Sequence, residues 1–143
     1  MLIKCTQNFA VVATGVLAST YSSGYLLDYG SQVGDLDIFT KLISCTATEC
    51  TSVTPVEGSY INKGDATKII NCYGSREVKC EAVAHGGADN LPKYYYDGIS
   101  KKLISCTGTS NCSFVNKNYK DYFLSFGSFA KSIIKCTGAA TNP

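Results

Sequence analysis

The stretch Lys102-Leu103-Ile104-Ser105-Cys106-Thr107-Gly108-Thr109-Ser110-Asn111-Cys112 decides the fold, because its first half stands also at Lys41-Leu42-Ile43-Ser44-Cys45, with a second cysteine again close behind at Cys50. The shared core, [LI]-I-x-C, occurs five times: at Leu2–Cys5, Leu42–Cys45, Ile69–Cys72, Leu103–Cys106 and Ile133–Cys136. Five copies of such a signature mark an internal repeat, and a repeat must be recognised before any single motif is interpreted.

Working outward from the anchor, the three central copies are each followed by a cysteine that leads a C-x-x-V segment, at Cys50, Cys80 and Cys112. Ahead of the anchor stands an aromatic segment closed by a small polar residue: Tyr25 to Asp28, Tyr60 to Asn62, Tyr94 to Asp97 and Tyr122 to Ser125. Each piece is four to seven residues long, rich in Ile, Val, Tyr and Phe, and bounded by Gly, Ser, Asp and Asn, which predicts strands. The expected fold is all-β with little or no helix: short strands repeated in stacked, β-solenoid-like units, stapled by local disulfides. The units are partial over about 1–23, then 24–57, 58–92, 93–120, and partial over 121–143, all within a single repeat-built domain, 1–143. Alternation along the anchor puts Ile43 and Cys45 on one side of the strand and Leu42 and Ser44 on the other, with the Ile and Cys side expected to face the core.

Eight cysteines in 143 residues point to an oxidising compartment, since close spacings of four, seven and five intervening residues do not make the paired C-x2-C of thiolate zinc sites. The expected pairs are Cys45 with Cys50, Cys72 with Cys80 and Cys106 with Cys112. Cys5 and Cys136 are left unpaired or terminal.

Thirteen basic against eleven acidic residues give a formal charge of +2 with scattered lysines and one arginine, Arg76, which is not the footprint of a nucleic-acid binder. The apolar run from Phe9 to Ala18 is too short to span a membrane and is read as folded structure, so membrane insertion is not expected and any secretion signal would lie outside these residues. His85, the single histidine, sits in a Gly-rich connector and is expected to be a solvated loop residue. Asp35 and Asp37 read as a turn and the start of a strand. Asn111-Cys112-Ser113 formally fits a glycan acceptor site. No nucleophile, acid/base pair, metal set or cofactor fingerprint assembles, so neither an enzyme nor a cofactor is expected.

The ten tyrosines admit two readings. They pack against one another between units, or some face outward beside Asp and Asn as recognition groups, since a rigid ring buries area at low entropic cost. The residues placed in the second role are Tyr94, Tyr96, Asp97, Tyr60, Asn62, Tyr25 and Asp28, with Tyr95 inward if Tyr94 and Tyr96 face out.

The unit, with a Tyr-rich segment such as Tyr94-Tyr95-Tyr96-Asp97-Gly98 followed by KLISC and a nearby second cysteine, resembles the repeats of the large scaffoldins of anaerobic gut fungi, over roughly residues 24 to 138. That resemblance implies a secreted, extracellular, non-catalytic scaffold whose partners are the fungal dockerin modules of plant-cell-wall-degrading glycoside hydrolases. The alternatives are a structural or adhesive cell-surface repeat and a carbohydrate-binding module, the latter disfavoured by the absence of Trp.

Overall fold

The computed structural model describes residues 24–89, 91–115, 120–127 and 132–137. Expectations for Cys5, its Leu2–Cys5 anchor and the Phe9 to Ala18 run lie outside them. The described chain is all-β, with one 3-10 turn at Tyr29–Ser31.

The strands form four separate antiparallel sheets in chain order. Strands β1 (Tyr25–Leu27), β2 (Leu42–Cys45) and β3 (Cys50–Val53) make the first; β4 (Gly58–Ile61), β5 (Lys68–Tyr73) and β6 (Lys79–Ala84) the second. The third comprises β7 (Lys93–Tyr96), β8 (Leu103–Thr107) and β9 (Asn111–Phe114); the fourth pairs β10 (Lys120–Leu124) with β11 (Ile133–Thr137). The aromatic segment supplies the first strand of each sheet, the [LI]-I-x-C anchor the second, and the cysteine-led segment the third.

The hairpin between second and third strands is closed by a disulfide in each complete sheet, at Cys45–Cys50, Cys72–Cys80 and Cys106–Cys112. The paired cysteines stand directly opposite one another in the ladder, with Cα atoms 4.0, 4.1 and 4.0 Å apart. A two-strand hairpin is marginal alone in water, and closing a loop this short with a disulfide contributes about 2–3 kcal/mol by the chain-entropy argument.

What turns these sheets into one body is the use of both their faces. Leu42, with Tyr25, Leu27 and Val53, packs on Tyr60, Ile70, Cys72 and Cys80 of the second sheet. The opposite face of that second sheet, Ile61 and Ile69 with Val83, packs on Tyr95, Ile104, Cys106, Cys112 and Phe114 of the third. Tyr94, on the third sheet's other face, meets Phe123 of the fourth at 4.7 Å between ring centroids. Each inner sheet is therefore covered on two sides. This corrects the expectation of a single core side bearing Ile and Cys: Leu42, Ile69 and Ile70 are all fully buried, and Ile43 only half so.

Between units the backbone pairs through single bridges, parallel at Tyr25–Asn62 and Tyr94–Ser125 and antiparallel at Phe39–Cys80. Among the described residues the array thus consists of antiparallel sheets laid against each other, without the continuous parallel sheets of a solenoid. The Phe39–Cys80 bridge, with N–H to O distances of 2.8 and 2.7 Å in the two directions, lets the long connector of the first unit cover the free edge of β6. Covering an exposed edge removes a template for unwanted strand pairing.

Candidate binding surface

In the first three units the polar residue that closes the aromatic strand has a local task. Asp28 Oδ1 accepts from the Gly30 amide at 3.0 Å, and its Oδ2 accepts from Ser52 Oγ at 2.6 Å. Asn62 Oδ1 accepts from the amides of Gly64 and Asp65, and Asp97 Oδ1 from those of Ile99 and Ser100 at 2.9 and 2.8 Å. Side-chain acceptors that satisfy amides two and three residues on are how Asp and Asn build turns. Asn62 and Asp97 are buried, so they cannot touch a partner, and their expected role as contact groups is replaced by that of turn caps.

Tyr60 likewise leaves the contact set, being fully buried, with its hydroxyl donating to the Val56 carbonyl at 2.5 Å. Tyr25 lies edge-on to it at 5.0 Å, across the first junction. Burial pushes both hydroxyls up, Tyr25 to about 12, with the Asp97 carboxylate adding to the effect. Tyr94 is half-buried against Phe123, and its carbonyl accepts from the Phe126 amide. Tyr95 points inward, and its hydroxyl donates to the His85 carbonyl at 2.6 Å. For Tyr25, Tyr60, Tyr94 and Tyr95 the geometry is packing between units.

Of the expected recognition tyrosines, Tyr96 is half-buried, as Tyr25 and Tyr94 are, and Lys101 Nζ stands 5.6 Å from its ring centroid. It lies where the second and third units meet, and the turn that follows it brings Gly98 against the Glu57 carbonyl. Val56 and Ile99, which flank that contact on its two segments, are both exposed. Val56 and Ile99 therefore stand exposed next to the Glu57–Gly98 approach, and Lys101 stands over the Tyr96 ring on the same turn. Sequence reasoning singles out only Tyr96 here, because Val56 and Ile99 fall in connectors and are brought together by the Glu57–Gly98 approach. Asp28 is half-buried in the first unit, and Tyr29 beside it is exposed while its ring rests edge-on to Phe39 at 5.0 Å.

No known protein family, characterised protein or solved structure matches this chain.

His85 departs from its expected solvated place: it is buried, with Nδ1 accepting from the Gly87 amide at 3.0 Å and Nε2 without a hydrogen-bond partner among the described residues. Its ring is close to Cys106 and Cys112, each pair of donor atoms within 4.8 Å, but those two sulfurs are bonded to each other and are not thiolates. Among the described residues Cys136 has no disulfide partner, and burial, then the Asp121 carboxylate paired opposite, raises its thiol above the ordinary value. A raised thiol pKa keeps the sulfur protonated and weakly nucleophilic at neutral pH.

Asp35 lies in a turn, with the Leu36 amide bonded to the Val33 carbonyl. Two clefts of about 190 and 150 Å³ open between units, one lined by Tyr25, Ser44, Ser100 and Phe114, the other by Asn62, Lys63, Lys68 and Ser110 among others. Both are smaller than the roughly 300 Å³ at which ordinary ligand pockets begin. Among the described residues no helix is long and apolar enough to cross a membrane.

Proposed function

We propose that this chain is a non-catalytic segment of a secreted scaffold that binds protein partners, with dockerin modules of plant-cell-wall glycoside hydrolases as the partners its resemblance to fungal scaffoldin repeats suggests. The observation that carries the binding role is the exposure of Val56 and Ile99 beside the Glu57–Gly98 approach, with the half-buried Tyr96 under Lys101, on a frame that disulfides and two-sided packing hold in place. Aromatic and aliphatic side chains on a preorganised backbone lose little entropy on binding, which favours partner capture. Three disulfides fit an oxidising, extracellular setting. Linked sites of this kind would raise local enzyme concentration without any single tight contact.

Titration calorimetry against an isolated fungal dockerin, with xylan and cellulose oligosaccharides as parallel ligands, tests this. Binding of the dockerin, weakened about tenfold or more by Tyr96→Ala or Ile99→Ser with unchanged thermal stability, supports it. Affinity unchanged in both variants moves the site elsewhere, and binding of the sugars alone replaces the reading with a carbohydrate-binding one. A purely structural repeat is the second reading, favoured by the packing roles of Tyr25, Tyr60, Tyr94 and Tyr95. Silence toward every ligand would support that second reading.

A further inference from the structure

The stacking has a direction. At the first junction the cystine-bearing face of the second sheet, with Tyr60, Ile70, Cys72 and Cys80, sits on the opposite face of the first, which carries Leu42. At the second junction the cystine-bearing face of the third sheet, with Tyr95, Ile104 and Cys106, sits on the Ile61 and Ile69 face of the second. The fourth sheet keeps the rule: Phe123, opposite Ile134 and on the same side as Cys136, is the residue that meets Tyr94.

The other face of the fourth sheet is then the one that, in the first two units, receives a successor. It carries Tyr122, Leu124 and Ile133, with Leu124 directly opposite Ile133 in the register. Ile133 occupies the anchor position held by Leu42 and Ile69. Those two are 0% exposed where a neighbour covers them, and Ile133 is 67% exposed. Leu124, at the strand position of Leu27 and Ile61, is 52% exposed, and Tyr122 is 64% exposed. Three large apolar side chains stand open on one small face whose counterparts are covered in the same chain.

We propose that the Tyr122, Leu124 and Ile133 face is a docking surface for a further unit of this same build, joined in tandem and seated through its cystine-bearing face. The interfaces already present define the occupant: an aromatic residue at the position of Tyr60 or Tyr95, the second isoleucine of the anchor, and the clasp itself. A second copy of this chain does not offer that face from its first unit, because Leu26 and Cys45, which belong to it, are already buried. All three interfaces join units adjacent in sequence, which is why the tandem arrangement is the one the geometry extends. This inference concerns the growth of the array and stands independently of dockerin binding.

The test is a chain in which residues 86–115, a connector with a complete unit, are repeated after Pro143, compared with the 143-residue chain by amide hydrogen exchange resolved to residues 120–124 and 133–137. Docking should slow exchange there by about tenfold or more, and Leu124→Asp with Ile133→Asp should abolish that protection while leaving the 143-residue chain's melting temperature nearly unchanged, since both side chains are exposed. Unchanged exchange in the extended chain overturns the proposal whether or not the added clasp forms, and so does protection that survives the double substitution. Sedimentation showing that the 143-residue chain self-associates through this face, with loss in the Leu124→Asp variant, also overturns it by giving the face to a second copy.

Discussion

The backbones of Gly58 and Gly98 touch: a Cβ on Gly58 would stand 2.6 Å from the Gly98 nitrogen. The second and third units meet tightly here, and a Cβ on Gly98 would in turn collide with the Glu57 carbonyl and lie 2.9 Å from the Tyr60 hydroxyl. Gly98→Ala should therefore force the two units apart and cost about 1–3 kcal/mol, as overpacking does. Urea unfolding checks it, and a variant as stable as the parent would mean the junction yields freely.

Asp97 is fully buried and its Oδ2 has no hydrogen-bond partner among the described residues, so burial raises its carboxyl above the ordinary value despite the amides of Ser100 and Ile99. A raised folded-state pKa means that the folded protein holds this proton more tightly than the unfolded chain. The sign follows: this contribution to stability grows as pH falls through the raised value and levels off below about 4, the unfolded value. Asp97→Asn keeps an oxygen to cap the turn, as Asn62 does in the preceding unit, and should stabilise the protein at neutral pH. Asp65, lowered by hydrogen bonds from Thr67, acts in the opposite sense, so the difference between parent and variant is the quantity to measure. A pH-independent difference in melting temperature between pH 4 and 8 would count against the assignment.

The three clasps are not equivalent. Cys72 and Cys80 lie fully buried at the first junction, whereas Cys50 is only half-buried at its hairpin. Replacing Cys72 and Cys80 together by Ala should cost about 2–5 kcal/mol, with the Cys45 and Cys50 pair at or below the lower end. Denaturant midpoints of the two double variants give the order, and the reverse order would contradict the burial argument.

Tyr95→Phe removes the hydroxyl that satisfies the buried His85 carbonyl. Leaving that acceptor unpaired should cost about 1–3 kcal/mol while the ring's packing survives. A melting temperature equal to the parent's would show that another donor reaches the carbonyl.

Much of the architecture is legible in the sequence because its determinants are local. The clasp partners are at most eight residues apart, and the aromatic, anchor and cysteine-led segments become the three strands of each complete sheet. Face assignment is not legible, because [LI]-I puts an apolar residue on both sides of the strand and period-two alternation cannot say that both are covered. The closing residues mislead for a related reason: a polar group after an aromatic strand reads equally as a ligand contact and as a turn cap, and only burial at Asn62 and Asp97 separates the two. His85 is buried because neighbouring strands close over a connector that looks solvated by composition.

Contacts also skip a unit. Ser100 and Phe114 of the third unit line a cleft with Tyr25 and Ser44 of the first, and Gly127 of the fourth abuts Ser59 of the second. In a chain coupled only to nearest neighbours, a melted unit isolates the two sides of the array and unfolding can proceed piecemeal. Here opening the second unit would strip partners from both its neighbours and from the fourth, so the cooperative length of the melt spans more than one unit. A local defect is therefore resisted by units that it does not adjoin.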